Sequence, residues 1–380
     1  MTLRILILNW RCPTNPRAGG AEFVTFEIAR RLVQRGHSVE WFSAGFPGAD
    51  SEETLEGVRI VRAGRQWSVH WRAFRRYRGK LGRDFDVVID EINTIPFFTP
   101  LWADIPTVMF VHQLAREVWW YETSFPLSAI GFVAEPRYLR GYRQVPVLTV
   151  SSSTRDDLRR LGFEGSIRIL PEGLEPITEI HVDRPTVPAL LYVGRLAPSK
   201  RVADIISAFA RFCASVESAE LTLLGDGPKE YVQLLRDLGT RLGVSERIRF
   251  LGRVSQREKH QEMARAHMLL LASVREGWGL VVTEANAFGT PAVAYDVPGL
   301  RDSIRHDKTG LLTRPTPDAL ANAMLQLWSD PALHKRLSAG AVAWSSTFSF
   351  DRTTDAFETE ISAILARSRT HERPKVQMGS

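Results

Sequence analysis

The feature that most constrains the fold is a repeated alternation of short apolar runs with longer segments of helical, 3.6-residue periodicity. In the first half, the apolar runs predict strands at residues 3–8, 39–43, 58–62, 85–90, 106–111 and 146–151. Residues 20–35, after the first of these runs, have a helical pattern that ends at Gly36. Strand–helix–strand alternation is typical of parallel sheets that helices cover on both faces. The chain is therefore predicted to have an α/β fold.

The alternation is interrupted between Glu172 and Pro188, a stretch that contains several prolines, and it resumes afterwards. In the second half, strands are predicted at 189–193, 219–224, 247–251 and 267–272, and helices at 200–214 and 229–242. A length of 380 residues suits two domains, each large enough to bury its own core. We therefore predict two Rossmann-like, doubly wound domains, 1–182 and 183–367, that face each other across a cleft, and a loose tail at 368–380. Ligands of such sheets bind at the carboxyl ends of the strands, so this cleft is the predicted site.

The composition excludes several classes of protein. Hydrophobic residues make up 44% and charged residues 24% of the chain, which is typical of globular proteins and not of disordered or fibrous ones. Cys12 and Cys213 are the only cysteines, which excludes a disulfide framework or a four-cysteine zinc site and favours a reducing compartment. The first apolar run is short and ends at Asn9, so we expect a first strand and not a signal peptide. No run of 18 apolar residues predicts a spanning helix, and a cytoplasmic protein is expected.

Basic residues are concentrated between residues 59 and 83, which contain nine arginines and lysines and no acid, although the net charge of the chain is only +6. Aromatic residues are interleaved with them at helical spacing, namely Trp67, Trp71, Phe74 and Tyr77. This pattern predicts an amphipathic helix with its aromatic face in the core and a solvated basic face. An alternative is a surface for anionic lipid head groups at the inner face of the membrane, or for a phosphorylated acceptor. Nucleic acid is not expected, since no recognition motif accompanies the stretch.

Two loops have the residue types that bind phosphate groups. Gly19 and Gly20 open the first predicted helix, where backbone amides and the helix dipole favour an anion. Arg195 and Lys200 follow the predicted strand 189–193 and are five residues apart. Two fixed cations there suit a diphosphate leaving group, which gains negative charge as its bond breaks. A flexible helix start and an ordinary solvated pair of cations are the alternatives.

The most informative segment follows the predicted strand 267–272 and has two glycines before a predicted helix. The amides expected to point at an anion there belong to Gly279, Leu280 and Val281. Glu276 lies before this helix, and Glu284 lies more than one turn inside it. The two carboxylates are therefore interpreted as acceptors of hydrogen bonds from separate hydroxyls of one polyol ligand, not as an acid–base pair.

Glu276 and Glu284, with seven residues between them, resemble the E-x7-E motif of the retaining GT-B glycosyltransferases of family 4. The resemblance covers nearly the whole chain, including the Gly-Gly-x-Glu segment at 19–22, the Gly-Arg-x-x-x-x-Lys segment at 194–200 and the segment 276–304. It implies a GT-B fold and a retaining, metal-independent hexosyltransferase. It also implies that the helical pattern near 351–366 returns to the first domain. The first domain would bind the acceptor and the second would bind a nucleotide-sugar donor.

The resemblance further implies which residues form the site. Those implied as catalytic are Glu276, Arg195, Lys200 and His112. Those implied as donor-binding are Gly19, Gly20, Gly194, Arg253, Val254, Gly279, Leu280, Val281 and Glu284. No metal site is expected, because the cations are side chains and no Asp-x-Asp motif stands in a suitable place. No cofactor is expected, because the nucleotide sugar is itself the substrate. A UDP- or GDP-sugar is favoured as the donor, and the residues do not decide between them.

Each implied role has a chemical reason. Arg195 and Lys200 would stabilise the departing nucleoside diphosphate, and Glu276 would bind donor-sugar hydroxyls and favour an oxocarbenium-like state. Glu284 would hold the nucleotide ribose, while the backbone around Arg253 and Val254 would flank the base. His112, after the predicted strand 106–111, matches a histidine near the donor sugar, although a histidine at a strand end is often structural.

The acceptor is left open by the sequence. Aromatic and apolar residues at 119–133, followed by Arg137, Arg140 and Arg143, either pack against the first sheet or contact a lipid-linked or phosphorylated acceptor. A cell-envelope, lipid-linked or polysaccharide glycan is the expected acceptor, and a soluble glycan is also compatible. Rival functions are a sugar-nucleotide epimerase or hydrolase on the same fold, or a non-catalytic protein that binds a sugar nucleotide or a membrane. Glu172, where relatives often have asparagine, has no assigned role.

Overall fold

A computed structural model describes residues 2–177, 180 and 182–371 of the chain, with side chains up to Ser368. The chain forms two compact units. Unit 1 comprises Met1–Leu114, Ala134–Gly173 and Phe350–Ser380, and unit 2 comprises Ala115–Val133 and Leu174–Ser349. Of the tail predicted at 368–380, residues 368–371 continue the last helix, and residues 372–380 lie outside the described part of the chain.

Unit 1 contains an eight-stranded sheet. Its strands are β1 (Arg4–Leu8), β2 (Ser38–Ser43), β3 (Glu52–Leu55), β4 (Val58–Arg62), β5 (Val87–Glu91), β6 (Thr107–Val111), β7 (Val147–Thr149) and β8 (Ile167–Ile169). Their order is β3-β4-β2-β1-β5-β6-β7-β8, and every pair is parallel except the antiparallel pair β3–β4. The chain runs outward from the central strand β1 to β2 and later returns to its other side at β5. The switch point of this doubly wound sheet therefore lies between the carboxyl ends of β1 and β5.

Unit 2 contains a six-stranded, all-parallel sheet. Its strands are β9 (Ala189–Val193), β10 (Glu220–Leu224), β11 (Ile248–Gly252), β12 (Met268–Leu271), β13 (Ala292–Tyr295) and β14 (Gly310–Thr313). The order β11-β10-β9-β12-β13-β14 puts the switch point between β9 and β12. Both sheets are doubly wound, as the alternation of the sequence predicts. Four strands of three or four residues were not predicted, namely the edge strands β3, β8 and β14 and the internal strand β13.

The helices cover both sheets. Those in the first part of the chain are α1 (Gly20–Gln34), α2 (Val69–Tyr77), α3 (Leu81–Asp84), α4 (Val118–Glu122), α5 (Leu127–Tyr138) and α6 (Ser152–Arg160). The rest are α7 (Val202–Cys213), α8 (Lys229–Arg241), α9 (Gln256–Arg265), α10 (Leu280–Ala287), α11 (Leu300–Ser303), α12 (Pro317–Ser329), α13 (Pro331–Ser345) and α14 (Phe350–His371). In α7, Ile205, Phe209 and Phe212 recur at helical spacing and are completely buried. Burial of side chains of this size stabilises the fold by roughly 1.5–3 kcal/mol each, so this face holds the helix on its sheet.

The compact units differ from the contiguous halves 1–182 and 183–367 that the sequence predicts. Residues 115–133 and 174–182 belong to unit 2, and residues from 350 onward belong to unit 1. The last helix packs on α1 within unit 1, where Arg31 Nε donates to Asp351 Oδ1 at 3.1 Å. The acceptor-binding and donor-binding roles of the two halves stay predictions.

The aromatic residues of the basic stretch do not all face the core, in contrast to the predicted stripe. Tyr77 is buried, but Trp67 and Trp71 are 78% and 58% exposed. The buried face of α2 is formed instead by Val69, Ala73 and Tyr77, which are four residues apart. Because Trp67 precedes the helix, the helical spacing does not carry it onto this buried face.

The aromatic and apolar side chains at 119–133 are also largely exposed, so the interpretation that they pack against the first sheet is wrong for most of them. The exposed members are Trp120, Tyr121, Phe125, Leu127, Ile130 and Val133. These residues belong to unit 2, whereas the first sheet belongs to unit 1.

Candidate functional site

Two loops cross closely at the carboxyl end of β9 in unit 2. The first begins at Gly194, directly after β9, and the second begins at Gly225, directly after β10. A Cβ atom on Gly225 would lie 1.9 Å from the carbonyl oxygen of Gly194, and Gly225 has φ +133°. Only glycine satisfies both conditions, because it lacks the Cβ and adopts positive φ without strain. These glycines therefore let the two loops pass with their backbones in contact.

Lys200 and Glu276 form an ion pair at the switch point of this sheet. Lys200 ends a short 3-10 turn, Pro198–Lys200, and Glu276 lies in the loop between β12 and α10. Lys200 Nζ donates to Glu276 Oε1 at 2.5 Å, and Ser273 Oγ donates to the same oxygen at 2.6 Å. The two side chains are 19% and 16% exposed, so solvent screens the pair only in part. The structure thus brings together two of the predicted catalytic residues.

Arg195 lies at the start of the same loop with its side chain exposed to solvent. Among the described residues, its guanidinium has no hydrogen-bond or ion-pair partner. Its carbonyl oxygen accepts a hydrogen bond from the Tyr192 hydroxyl at 2.7 Å. Burial, together with the nearby Glu276 carboxylate, raises the pKa of Tyr192 well above its usual range, so this hydroxyl stays a donor. A fixed backbone with an unpaired guanidinium suits an anionic ligand.

The amino-terminal end of α10 offers backbone amides to a ligand. Gly279 caps the helix in a left-handed conformation, with φ 89°, and makes no side-chain cap hydrogen bond. The first amides of the helix, which include those of Leu280 and Val281, have no acceptor within the helix. Their predicted role toward an anion stays a prediction.

Glu284 lies within α10, and both of its oxygens accept hydrogen bonds from Lys259 of α9 at 2.9 Å. The side chains of Lys259 and Glu284 are 17% and 14% exposed, respectively. Lys259 was not identified from the sequence, although a local pattern predicts its helix. Ser255 and Glu258 form a reciprocal capping box at the start of α9, and this serine-x-x-glutamate spacing is typical of a helix start.

The predicted base-flanking residues follow β11 at the same edge of the sheet. Arg253 is exposed and Val254 is half-buried, directly after Gly252, which has φ 68°. Gly194 and Arg195 follow the carboxyl end of β9, and Arg253 and Val254 follow that of β11, with β10 between the two strands. Their predicted contacts with a nucleotide stay predictions.

In unit 1, the amide at the start of α1 already has an acceptor. Glu22 Oε2 accepts a hydrogen bond from Gly19 N at 2.7 Å, and Arg11 Nε donates to Glu22 Oε1 at 2.8 Å. A phosphate at Gly19 would have to replace this carboxylate. The neighbouring amide of Gly20 makes no such contact with Glu22. The predicted diphosphate contact of these two glycines stays a prediction.

His112 follows β6 and is buried. Its Nε2 lies 3.5 Å from Thr25 Oγ1 and 3.6 Å from Glu91 Oε1. Burial lowers the pKa of His112 to about 3, so the imidazole is neutral at physiological pH. Burial, followed by the Glu22 carboxylate, raises the pKa of Glu91 well above its usual range. His112 is therefore part of a buried polar cluster at the carboxyl ends of β5 and β6, next to the switch point of the first sheet.

Glu172 is also buried in unit 1, at 2% exposure, close to the point where the chain leaves the unit. Burial raises the pKa of Glu172 to about 8. In the described part of the chain, its Oε2 has no hydrogen-bond partner. The carboxyl group is therefore largely protonated at neutral pH, and no ligand role follows from its surroundings.

The described part of the chain lacks two features, a membrane-spanning helix and a cluster of metal ligands. None of its helices combines the length and apolarity that crossing a membrane requires. Among the same residues, no three histidine, cysteine, aspartate or glutamate side chains are grouped so that they could hold a metal ion.

Comparison with known proteins identifies the class. The family model described as Glycosyltransferase Family 4 matches residues 18–176, and the model described as Glycosyl transferases group 1 matches residues 175–344. The glycogen synthase of Mycobacterium tuberculosis is 29% identical over 99% of this chain and 98% of its own length. The chain belongs to the group 1, family 4 glycosyltransferases.

Solved structures agree on the fold. The sucrose-phosphate synthase of Thermosynechococcus elongatus superposes with a TM-score of 0.78 at 20% identity, covering 96% of this chain and 100% of that protein. The Anabaena protein HepE, solved in complex with UDP-glucose, gives a TM-score of 0.75 at 19% identity, covering 95% and 100%. The fold is GT-B, as the sequence resemblance implies.

Proposed function

We propose that this glycosyltransferase moves a sugar from a nucleotide-diphosphate sugar to an acceptor hydroxyl with retention of anomeric configuration and without a metal ion. The observation that carries the proposal is the Lys200–Glu276 pair at the switch point between β9 and β12, beside the unpaired Arg195. We assign donor binding to unit 2 and acceptor binding to unit 1. The proposed acceptor is a cell-envelope, lipid-linked or polysaccharide glycan, and similarity to a glycogen synthase supports a glycan.

The charges of the site fit the departure of a diphosphate. Lys200 is neutralised by Glu276, whereas Arg195, which has no ion-pair partner among the described residues, provides a free positive charge. A diphosphate bound to both cations would compete with Glu276 for Lys200 and would release its carboxylate for hydroxyls of the donor sugar. Cations placed where negative charge develops stabilise the transition state more than the ground state, which is the requirement for faster turnover.

The departing diphosphate itself is the proposed proton acceptor for the attacking hydroxyl. Glu276, the carboxylate next to Lys200, already accepts hydrogen bonds from Lys200 and Ser273. A diphosphate oxygen on the face that the leaving group occupies would guide the acceptor to that same face. Attack from that face gives retention of configuration.

The first experiment measures thermal stabilisation of the purified protein by UDP, GDP, ADP and dTDP, with and without EDTA. The complex of HepE with UDP-glucose supports UDP as the first nucleotide to test. At a hundredfold excess over Kd, a bound ligand stabilises the fold by about 2.7 kcal/mol, which gives a shift of several degrees. One nucleotide that shifts Tm regardless of EDTA supports metal-free diphosphate binding. No shift with any of the four contradicts the donor site.

Variants locate the binding site within the same experiment. Arg195→Ala should reduce the shift because it removes the free cation. Lys335→Ala is the matched control, since Lys335 is an exposed cation of α13 without a hydrogen-bond or ion-pair partner in the described part of the chain. Equal shifts in both variants would place the nucleotide elsewhere. Release of free sugar or an epimer without any acceptor would favour the hydrolase or epimerase alternative.

We further propose that unit 1 meets an anionic bilayer that holds a lipid-linked acceptor. Trp71 stacks on Phe74 with ring centroids 5.2 Å apart, and Phe74 packs edge-on against Trp102 at 6.0 Å. The neighbouring Trp67 and Leu101 are both 78% exposed. Exposed basic side chains accompany this patch, namely Arg65, Arg72, Arg75, Arg78, Lys80 and Arg83. Tryptophan among cations favours the interface of anionic membranes.

Co-sedimentation with vesicles tests this surface. The protein should sediment with phosphatidylglycerol–phosphatidylcholine vesicles at low salt and much less with pure phosphatidylcholine. The double variant Trp67→Ala/Trp71→Ala should lose most of the binding at unchanged Tm, because both side chains are exposed. Sedimentation that is independent of lipid charge and of both tryptophans would contradict the surface and favour a soluble glycan acceptor.

A further inference from the structure

Residues 115–133, here called the strap, lie between β6 and the second half of α5 in sequence but belong to unit 2. The strap contains α4, which packs against the 3-10 turn Pro198–Lys200. Two acidic residues, Glu117 at the start of α4 and Glu122 at its end, make contacts with the rest of unit 2. Each contacts a residue next to one of the two members of the Lys200–Glu276 pair.

Glu122 caps the turn that carries Lys200. Its Oε1 accepts a hydrogen bond from Ser199 N at 3.2 Å and a second from Ser199 Oγ. Ser199 is only 4% exposed, so water does not readily replace this acceptor. Because Ser199 directly precedes Lys200, the carboxylate of Glu122 fixes the backbone from which the lysine side chain extends.

Glu117 has the corresponding role beside Glu276. Its Oε2 accepts a hydrogen bond from Arg275 Nε at 3.0 Å, and the Arg275 side chain is 6% exposed. Burial acts to raise the pKa of Glu117, but the Arg275 guanidinium, a backbone hydrogen bond and the charge of Arg116 together outweigh it and hold that pKa below its usual range. Val274 N donates to Ser199 O at 2.9 Å, so the two loops are also joined to each other.

The strap has its own internal packing, which keeps these acids in place. A Cβ on Gly131 would lie 2.4 Å from the ring of Trp119, so the two residues are in close contact. Arg116 lies over the ring of Phe132 with its Cζ 4.2 Å from the centroid, and it donates a hydrogen bond to the carbonyl oxygen of Phe132 at 3.2 Å. The segment is thus ordered by contacts that do not involve Glu117 or Glu122.

We propose that Glu122 and Glu117 are positioning residues that hold Lys200 and Glu276 in register for transfer by anchoring Ser199 and Arg275. This inference rests on the proposed role of the Lys200–Glu276 pair. Groups that stabilise a transition state must be held within about 0.5 Å of their productive positions, and a misplacement of about 1 Å lowers turnover by roughly a hundredfold. The strap therefore sets the rate of transfer, while donor affinity depends mainly on groups outside it.

Glu122 gives the sharper test, because it is exposed and its loss removes no buried side chain. Glu122→Ala should lower kcat by roughly 10–100-fold with donor KM changed less than about threefold and Tm nearly unchanged. Glu122→Gln should recover most of the rate, since the amide oxygen still accepts from Ser199. Glu246→Ala is the matched control, because Glu246 is an exposed acid before the amino-terminal end of β11.

A double variant shows whether Glu122 acts through Ser199. Ser199→Ala removes one of the two donors and should lower kcat by a smaller factor. The combined Glu122→Ala/Ser199→Ala variant should be no slower than Glu122→Ala alone, since both changes interrupt the same contact. Rates are measured, in the presence of a glycan acceptor, as nucleotide release from UDP-glucose, or from GDP-mannose if GDP gives the larger thermal shift.

The outcomes separate this inference from the function on which it rests. If Lys200→Ala abolishes release while Glu122→Ala keeps the wild-type kcat, the positioning role is wrong and the proposed function stands. A loss of kcat in Glu122→Ala that follows a fall in Tm, with no recovery in Glu122→Gln, also overturns the positioning role. If Lys200→Ala itself keeps full turnover, the proposed function fails, and the inference fails with it.

Discussion

Lys259 is predicted to control donor affinity through Glu284, and Lys259→Met tests this. The methionine keeps most of the length of the lysine side chain but removes two hydrogen bonds of 2.9 Å to the Glu284 carboxylate. Hydrogen bonds to charged groups contribute roughly 1.5–3 kcal/mol. Since the two side chains are 17% and 14% exposed, we take the lower end, about 1.5 kcal/mol, for the loss of the pair. At roughly 2–4 °C per kcal/mol for a unit of this size, Tm should fall by about 3–6 °C.

The same change should weaken binding of the donor. If Glu284 binds the ribose, loss of its lysine partner leaves the carboxylate mobile. The uncompensated negative charge also repels the diphosphate of the donor. A loss of about 1.4 kcal/mol of binding free energy raises the donor KM about tenfold. The contact with ribose is the same in the ground and transition states, so kcat should change little.

Steady-state kinetics with the donor identified by thermal shift, and calorimetric titration of its nucleotide, measure both effects. Lys335→Ala is again the control. An unchanged KM and an unchanged Kd for the nucleotide in Lys259→Met would refute the ribose role of Glu284. A fall in kcat at constant KM would instead place Lys259 with the groups that act on the transition state.

Two further substitutions test the packing and the buried acid. Gly225→Ala should destabilise the protein by about 3 kcal/mol or more in thermal or urea unfolding, because its Cβ would meet the Gly194 carbonyl. The control is Gly243→Ala, where φ is +70° and the added Cβ has no atom within 4 Å. This change should lower the free energy of unfolding by only about 1 kcal/mol. Glu172→Gln should raise Tm more at pH 8 than at pH 5. The folded state, with a pKa of about 8, binds more protons than the unfolded state, with its ordinary value of 4.5, so stability falls as pH rises through this window. An equal gain at both pH values would contradict a buried, protonated Glu172.

The sequence predicted the doubly wound architecture well because the central strands are continuous apolar runs. The strands β1 and β9 were predicted nearly residue for residue, since all but the first residue of β1 is buried and β9 is buried throughout. The short strand β13 was harder to predict, because its four residues, Ala292–Tyr295, follow α10 after a gap of only four residues. A single apolar run of this length does not distinguish a strand from the end of a helix.

The candidate site was predictable where its residues lie in one motif, and not where they meet across the fold. Glu276, Glu284 and Lys200 belong to local patterns. Lys259 meets Glu284 only because α9 and α10 pack side by side, and Glu122 meets Ser199 across 77 residues of sequence. No local periodicity indicates such contacts.

The most direct test of the account is the rate of nucleotide release by Glu276→Ala, compared with the wild type in the presence of a glycan acceptor. Glu276 is the residue on which the proposed chemistry depends, and removal of a group of this kind lowers kcat by roughly 100–1000-fold. The account predicts such a loss, with a Tm within a few degrees of the wild type. A folded Glu276→Ala protein with full activity would contradict the assignment of the catalytic site.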